Sequence, residues 1–346
     1  MLTDIFAHRY KETTICEMWS EDHSKLLVQS FQLLNDVCPY YVNGHEHERG
    51  KHFWSRIHDL LARELGLTEL SPAYVGYYDQ QKNWQGFHAT PMYRCEKWML
   101  AAFDGTMLPD RFFKERLSLV EIGFREQENH LRALNANLPA AIELAKKFDL
   151  RPLRAAGIRA PGTSADAMRA SNVNANDKFL AEVTELNARF RQGDCQLHYH
   201  NGFIQISKDQ TIVQEIETPF WKLVAEPKWL NVDHDMKEAV DLRDTGGRDP
   251  ALYAAKSLES TIKIISDEKN LTRGNEKGAA QYIDNLRGAK LIEVWETEAL
   301  KHFFAKVRNP IGHGPGAAPM PILTECQTNW AIENSMIWIK SLIRRT

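Results

Sequence analysis

The chain reads as mainly α: a helical N-terminal part, a small α+β middle segment with one β-hairpin, and a C-terminal bundle of about four helices. Two patterns predict this. Apolar residues recur at helical spacing over most of the 346 residues. The period changes to strand-like alternation around Asn201-Gly202, the strongest hairpin signal in the chain. The composition, 43% hydrophobic and 26% charged, supplies enough apolar surface for globular cores. A chain this long is expected to divide into two or three domains.

Residues 1 to 150 read as helical. Leu27, Phe31 and Leu34 share one helical face. Phe53, Ile57, Leu60 and Leu61 share a second, and Phe113, Leu117, Val120 and Phe124 a third. Tyr74 to Phe87 is rich in Tyr, Gly and Gln and reads as a loop. Pro139 suits the first turn of a new helix starting near Leu138. Residues 151–175 lack a sustained apolar period and hold the breaker cluster Ala160-Pro161-Gly162, so they read as a linker or exposed loop.

The segment 176–245 opens on a helix with Phe179, Val183, Leu186 and Phe190 on one face. Two strands follow, Gln196–His200 and Phe203–Ile206. A helix should then start with Thr218 as cap and Pro219 in the first turn. The turn-rich Asp244–Pro250 separates this segment from 246–346, with Asp249 expected to cap the next helix. Leu258, Ile262 and Ile265 give that helix a core face, and Lys269 to Ala279 reads as a loop. Leu300, Phe303, Phe304 and Val307 follow i, i+3, i+4, i+7, as do Ile332, Met336, Ile339 and Ile343 in the last helix.

No apolar run approaches a membrane span, and Met1-Leu2-Thr3-Asp4 lacks the basic start of a secretion signal. Five scattered cysteines without a Cys-x-x-Cys pair fit a reducing cytoplasm and no structural zinc. The net charge of −3 argues against a general nucleic-acid binder. It is uneven, however: from Pro250 to Thr346 there are 13 Lys+Arg and 10 Asp+Glu. His198 and His200 alternate on a strand and point to one side, a spacing that can chelate zinc, but no third ligand follows and a polar sheet face is the better reading. The His-rich patch His45-Glu46-His47-Glu48, with His52, is not His-Glu-x-x-His and reads as solvated surface. Gly314-Pro315-Gly316 is followed by no Gly-Lys-Ser/Thr, so no nucleotide-phosphate loop is expected. No cofactor is expected.

The stretch Val307-Arg308-Asn309-Pro310-Ile311-Gly312-His313 holds the most chemistry. Pro310 disfavours helical angles at Asn309, so the helix reaching Val307 should end or be distorted there. Arg308 keeps its charge and has a planar fork suited to phosphate oxygens. His313 can exchange a proton near neutrality. A fixed cation beside a proton shuttle suits metal-free cleavage of an RNA phosphodiester. The same two residues also fit a helix C-cap, where both would face the negative end of the helix dipole.

Arg-Asn-x-x-x-His between two C-terminal helices resembles the signature of HEPN domains (higher eukaryotes and prokaryotes nucleotide-binding), many of which are ribonucleases. Asp249-Pro250-Ala251-Leu252-Tyr253-Ala254-Ala255-Lys256 resembles the opening helix of the HEPN domain in AbiJ-type abortive-infection proteins. Asp4-Ile5-Phe6-Ala7-His8-Arg9-Tyr10 resembles the start of an AbiJ N-terminal domain. The resemblance implies an AbiJ-like N-terminal domain and a C-terminal HEPN bundle. It implies an anti-phage endoribonuclease with Arg308 and His313 catalytic and Asn309 positioning, leaving 2′,3′-cyclic phosphate ends without a metal. It also implies a homodimer with the site in the shared cleft, an RNA target (transfer RNA by family habit) and a phage-derived trigger. Lys256, Glu259 and Lys263 could line the RNA-binding side of that cleft, but Glu259 and Lys263, four apart, read better as an ordinary salt bridge and Lys256 as a solvated face residue. A non-catalytic HEPN module that binds a nucleotide or a partner protein is the alternative.

Overall fold

The computed structural model describes residues 4–78, 80–147, 164–206, 212–312 and 322–346. It is mainly α, with small two-stranded sheets. The chain forms two compact units, the first ending at Ile204 and the second beginning at Gln205.

The first unit contains α1 (Phe6–Arg9), α2 (Glu21–Val37), the strand pair β1 (Tyr41–Val42) and β2 (His45–Glu46), and α3 (Glu48–Glu64). Then come β3 (Tyr74–Tyr78), β4 (Trp84–His88), α4 (Pro91–Met99), α5 (Pro109–Lys147) and α6 (Ser164–Gln192). Helix α5 is the axis of the unit. Every residue from Phe112 to Phe124 is buried, so it packs on all sides, against α1, α2, α3 and α6. Its buried charges are matched. Lys114 Nζ donates to the carbonyls of Tyr10 and Thr13, each at 2.6 Å, and pairs with Asp110. Glu121, fully buried, accepts from Arg9 Nη1 at 3.1 Å, Arg9 Nη2 at 2.5 Å and the Ile204 amide at 2.8 Å. Removing one partner of such a buried pair strands the other charge.

Three expectations change here. Helix α5 runs through Pro139 without a break. A proline at this position leaves the Asn135 carbonyl without its helical donor. The Asn135 side chain is held instead by Asn172 and Asn176 of α6, at 2.8 and 3.0 Å, so helix pairing outweighs the local breaker. Second, α6 begins at Ser164, so 164–175, read as linker or loop, is helical. Its alanines favour helix and Asp166 sits in the first turn. Residues 151–163 lie outside the described residues. Third, Tyr74–Phe87 is no loop: β3 and β4 pair antiparallel from Tyr74↔His88 to Tyr78↔Trp84. With no buried face, this hairpin shows no apolar-polar alternation to read. The His45–Glu48 patch is exposed, beside a small Asn43-Gly44 hairpin with φ of 51° and 78°.

Strands β5 (Leu197–His200) and β6 (Phe203–Ile206) form the expected hairpin. Asn201 and Gly202 have φ of 43° and 88°, the positive pair that a two-residue hairpin turn requires. The polar His198 face is buried, and the His198 and His200 rings stack at 5.9 Å.

After β6 the second unit continues with a wide turn at Val213–Glu217 and α7 (Thr218–Val224). The cap therefore falls on Glu217 and not Thr218, with Pro219 still in the first turn. Then follow α8 (Leu230–Thr245), α9 (Pro250–Glu268), α10 (Ala279–Gly288) and α11 (Val294–Phe303). Another wide turn, Phe304–Arg308, the short α12 (Asn309–Gly312) and α13 (Glu325–Ile343) complete it. Helix α9 is central, packed on α8 and α13, with Leu258, Ile262 and Ile265 fully buried. Ser257 Oγ donates to the Val232 carbonyl at 2.8 Å and ties α9 to α8. Asp249 precedes α9 but does not cap it: its φ is 58° and its carboxylate takes Arg248 Nε at 3.0 Å.

Burial lowers the His198 imidazole to about 4, with Arg191 adding to the shift. The native state therefore holds it neutral, while an unfolded histidine protonates near 6.5. As pH falls from there towards 4 only the unfolded state gains this proton, so stability falls, by about 2 kcal/mol at pH 5. Urea unfolding at pH 7 and pH 5 should show this loss in the wild type and a smaller one in His198→Gln.

Candidate functional site

Helix α11 opens with a capping box: the Glu293 side chain accepts from the third-position amide, and Glu296 from the Glu293 amide at 2.8 Å. Leu300, Phe303, Phe304 and Val307 bury its apolar stripe. The helix does not end at Val307. It widens into a π turn over Phe304–Arg308, where the Asn309 amide donates to the Phe304 carbonyl, five residues back. Asn309 then sits at φ −67°, ψ −40°, helical despite the following proline. In a regular helix the Pro310 ring would crowd the Lys306 carbonyl. The extra residue in the turn lies where that crowding would fall, and such turns recur at functional sites.

The turn directs Arg308 towards α9. Its Nη2 donates to Glu259 Oε2 at 3.2 Å, and its Nη1 lies 3.5 Å from Asn309 Oδ1. The other carboxylate oxygen of Glu259 holds Lys263 Nζ at 2.8 Å. Glu259 is thus the hub of two cations, and its side chain is only 12% exposed against 26% for Arg308. Arg308 Nε is buried with no hydrogen-bond partner among the described residues. The guanidinium is positioned by Glu259 through Nη2 and by Asn309 through Nη1.

Beside it opens a cleft of about 620 Å³, lined among others by Glu259, Lys277, Gln281, Lys301, Arg308 and Asn309. The first turn of α10, Ala279 and Ala280, also forms its wall, and Gly278 there offers no side-chain cap. Helix amides without a side-chain cap favour anions. Lys301 Nζ is shared with Asp284, at 2.7 Å to each oxygen. The site is thus a cationic cleft with a half-buried carboxylate that orients its arginine. It can hold a phosphate by a guanidinium fork, ammonium groups and backbone amides.

Arg308, Asn309, Glu259 and Lys263 come together as one cluster. Lys256 does not join them: its Nζ lies 4.3 Å from the Tyr253 ring centre and it does not line the cleft. His313 lies outside the described residues. Lys277 and Lys301 escaped sequence reading. Lys301 carried a signal, since it stands seven residues before Arg308 on one helical run, whereas Lys277 sits in a polar loop that gives none. Among the described residues no three His, Cys, Asp or Glu groups gather as a metal site. No described helix is long and apolar enough to cross a membrane.

Fold and site together describe a mainly α protein with a basic cleft in its second unit. The chain belongs to the AbiJ N-terminal domain 4 family, whose model matches residues 4–222. That match begins at the Asp4-Ile5-Phe6 stretch, which carries the resemblance to an AbiJ N-terminal domain. No curated protein and no solved structure matches the chain.

The Glu259–Arg308 contact is expected to couple the two residues energetically. In a double-mutant cycle of Glu259→Ala and Arg308→Ala, denaturant unfolding should give a coupling of about 1 kcal/mol. Strict additivity would mean that Glu259 does not hold Arg308.

Proposed function

We propose that the chain is an endoribonuclease of an abortive-infection system, with its C-terminal part a HEPN domain. The observation that carries this reading is Arg308, held by Glu259 at the wall of a cleft that also presents Lys277 and Lys301. In the proposed reaction His313 takes the proton from an RNA 2′-hydroxyl. The 2′-oxygen attacks the phosphorus, the bond to the 5′-oxygen breaks, and the departing oxygen takes a proton. The products are a 2′,3′-cyclic phosphate and a 5′-hydroxyl, and the reaction requires no metal. Arg308 stabilises the charge that grows on the phosphate oxygens. Glu259 aligns Arg308, and Asn309 orients the phosphate or His313.

One imidazole cannot both accept the first proton and donate the second in the same state. A homodimer with two-fold symmetry would place a second Arg-His set in the cleft and supply the missing acid. The exposed α13 face that holds Trp330 and Ile337 is the surface we assign to that contact. Transfer RNA is the target class that the family resemblance favours. The N-terminal unit would sense a phage-derived trigger and hold the nuclease off in its absence. The protein would act in the cytoplasm.

The test is incubation of total RNA with purified wild type, Arg308→Ala and His313→Ala in the presence of a chelator, paired with growth of cells expressing each. Discrete fragments and growth arrest should require both side chains, with each variant slower by roughly 100-fold or more. Arrest by all three proteins without RNA cleavage would instead favour a non-catalytic binding module.

A further inference from the structure

The β3–β4 hairpin carries an aromatic trough that the cleft around Arg308 does not explain. Its register places Tyr74, Gly76 and Tyr78 opposite His88, Gly86 and Trp84. Alternation along each strand puts all six on one face. That face therefore consists of four aromatic rings and two glycines, without an aliphatic side chain.

The glycines let the rings lie down. A Cβ on Gly76 would fall 2.0 Å from the Trp84 indole, and one on Gly86 would fall 2.2 Å from the Tyr74 hydroxyl, with the ring atoms behind it close as well. Trp84 and Tyr74 thus lie across the backbone as a floor. The outer rings stand against them as walls: Tyr78 meets Trp84 at 5.0 Å and 70°, and His88 meets Tyr74 at 5.4 Å and 68°. The rings are anchored yet open, with Tyr74 51%, Trp84 58% and Tyr78 69% exposed.

A platform of anchored rings on a sheet suits planar ligands that slide in by stacking. A protein hot spot usually also wants a packed apolar pocket, and no aliphatic group on this face builds one. The hairpin itself brings one cation to the rings, while Arg94 of α4 is already paired with Glu69 at 2.7 Å. Lys82, in the β3–β4 turn two residues before Trp84, is exposed. Neutral rings beside one or two cations is how single strands are held without sequence preference.

We propose that this trough binds unpaired bases of single-stranded RNA by stacking on Trp84 and Tyr74. The inference deepens the ribonuclease reading, because it supplies a substrate-holding surface, and its test is independent of cleavage. The probe is a short, unstructured, fluorescently labelled RNA with 2′-O-methyl groups. It has no free 2′-hydroxyl and cannot be cut by the proposed reaction. Anisotropy with the full chain should show binding that weakens on the order of ten-fold in Trp84→Ala and in Tyr74→Ala. Gly76→Ala keeps every ring but displaces the indole, and should also weaken binding several-fold. Thermal melts establish that each variant is folded. Ring-dependent binding without any cleavage of natural RNA would support the trough and leave the nuclease reading to fail alone. Wild-type affinity in the folded variants, or no binding by the wild type, would overturn the inference and turn attention to a protein partner for this face.

Discussion

The site in the second unit depends on one backbone constraint, the passage of the chain through Asn309-Pro310 without leaving the helix. Pro310 brings no amide hydrogen and a ring that collides with the preceding turn of a regular helix. The chain absorbs this by widening the turn over Phe304–Arg308. One added residue rotates the remainder of the helix by about 100° relative to an unbroken one. Phe304 and Val307 stay in the core while Arg308 is carried to Glu259 on α9. A plain helix stop after Val307 would not continue the helical frame that holds Arg308 and Asn309 side by side over the cleft.

Glu259 answers the second demand of such a site, a cation that is held but not used up. Its two oxygens are divided between Arg308 and Lys263. Glu259 grips the arginine through one terminal nitrogen, and the other lies 3.5 Å from Asn309 Oδ1. The first unit uses a carboxylate for structure: Glu121 serves Arg9 and the Ile204 amide from within the buried stretch of α5. There both terminal nitrogens of Arg9 reach the carboxylate, and one of them also reaches the Ile204 carbonyl. Arg308 gives its carboxylate only one, and it stands at the wall of a cleft. That difference separates a candidate binding group from a structural ion pair.

Much of this was legible in the sequence where a periodic pattern met a buried face. The stripes Leu258-Ile262-Ile265 and Leu300-Phe303-Phe304-Val307 are core, and Asn201-Gly202 turns the predicted hairpin. Reading failed where local chemistry was overruled by pairing. Pro139 stays inside α5, and Ser164–Ala175 is helical against it, because side chains such as Asn135 and Asn172 bridge the two helices. It failed again at Tyr74–Phe87, where a hairpin with both faces in solvent leaves no alternation to detect. At the site, the four-residue spacing of Glu259 and Lys263 gave the salt bridge that forms, and Arg308 and Asn309 stood out by residue type. The turn that unites them was foreseen only as a distortion, since a π turn has no residue signature beyond the proline that it accommodates.

The bond that is broken, and the way it breaks, can be read most directly from the chemistry of the new RNA ends. Fragments made by the purified chain in a chelator would be treated with an enzyme that repairs cyclic phosphate ends, and ligation would be compared before and after. Attack by a 2′-hydroxyl guided by Arg308 and His313 predicts 2′,3′-cyclic phosphate and 5′-hydroxyl ends. Ends bearing a 3′-hydroxyl and a 5′-phosphate, or cutting that ceases in the chelator, would contradict it.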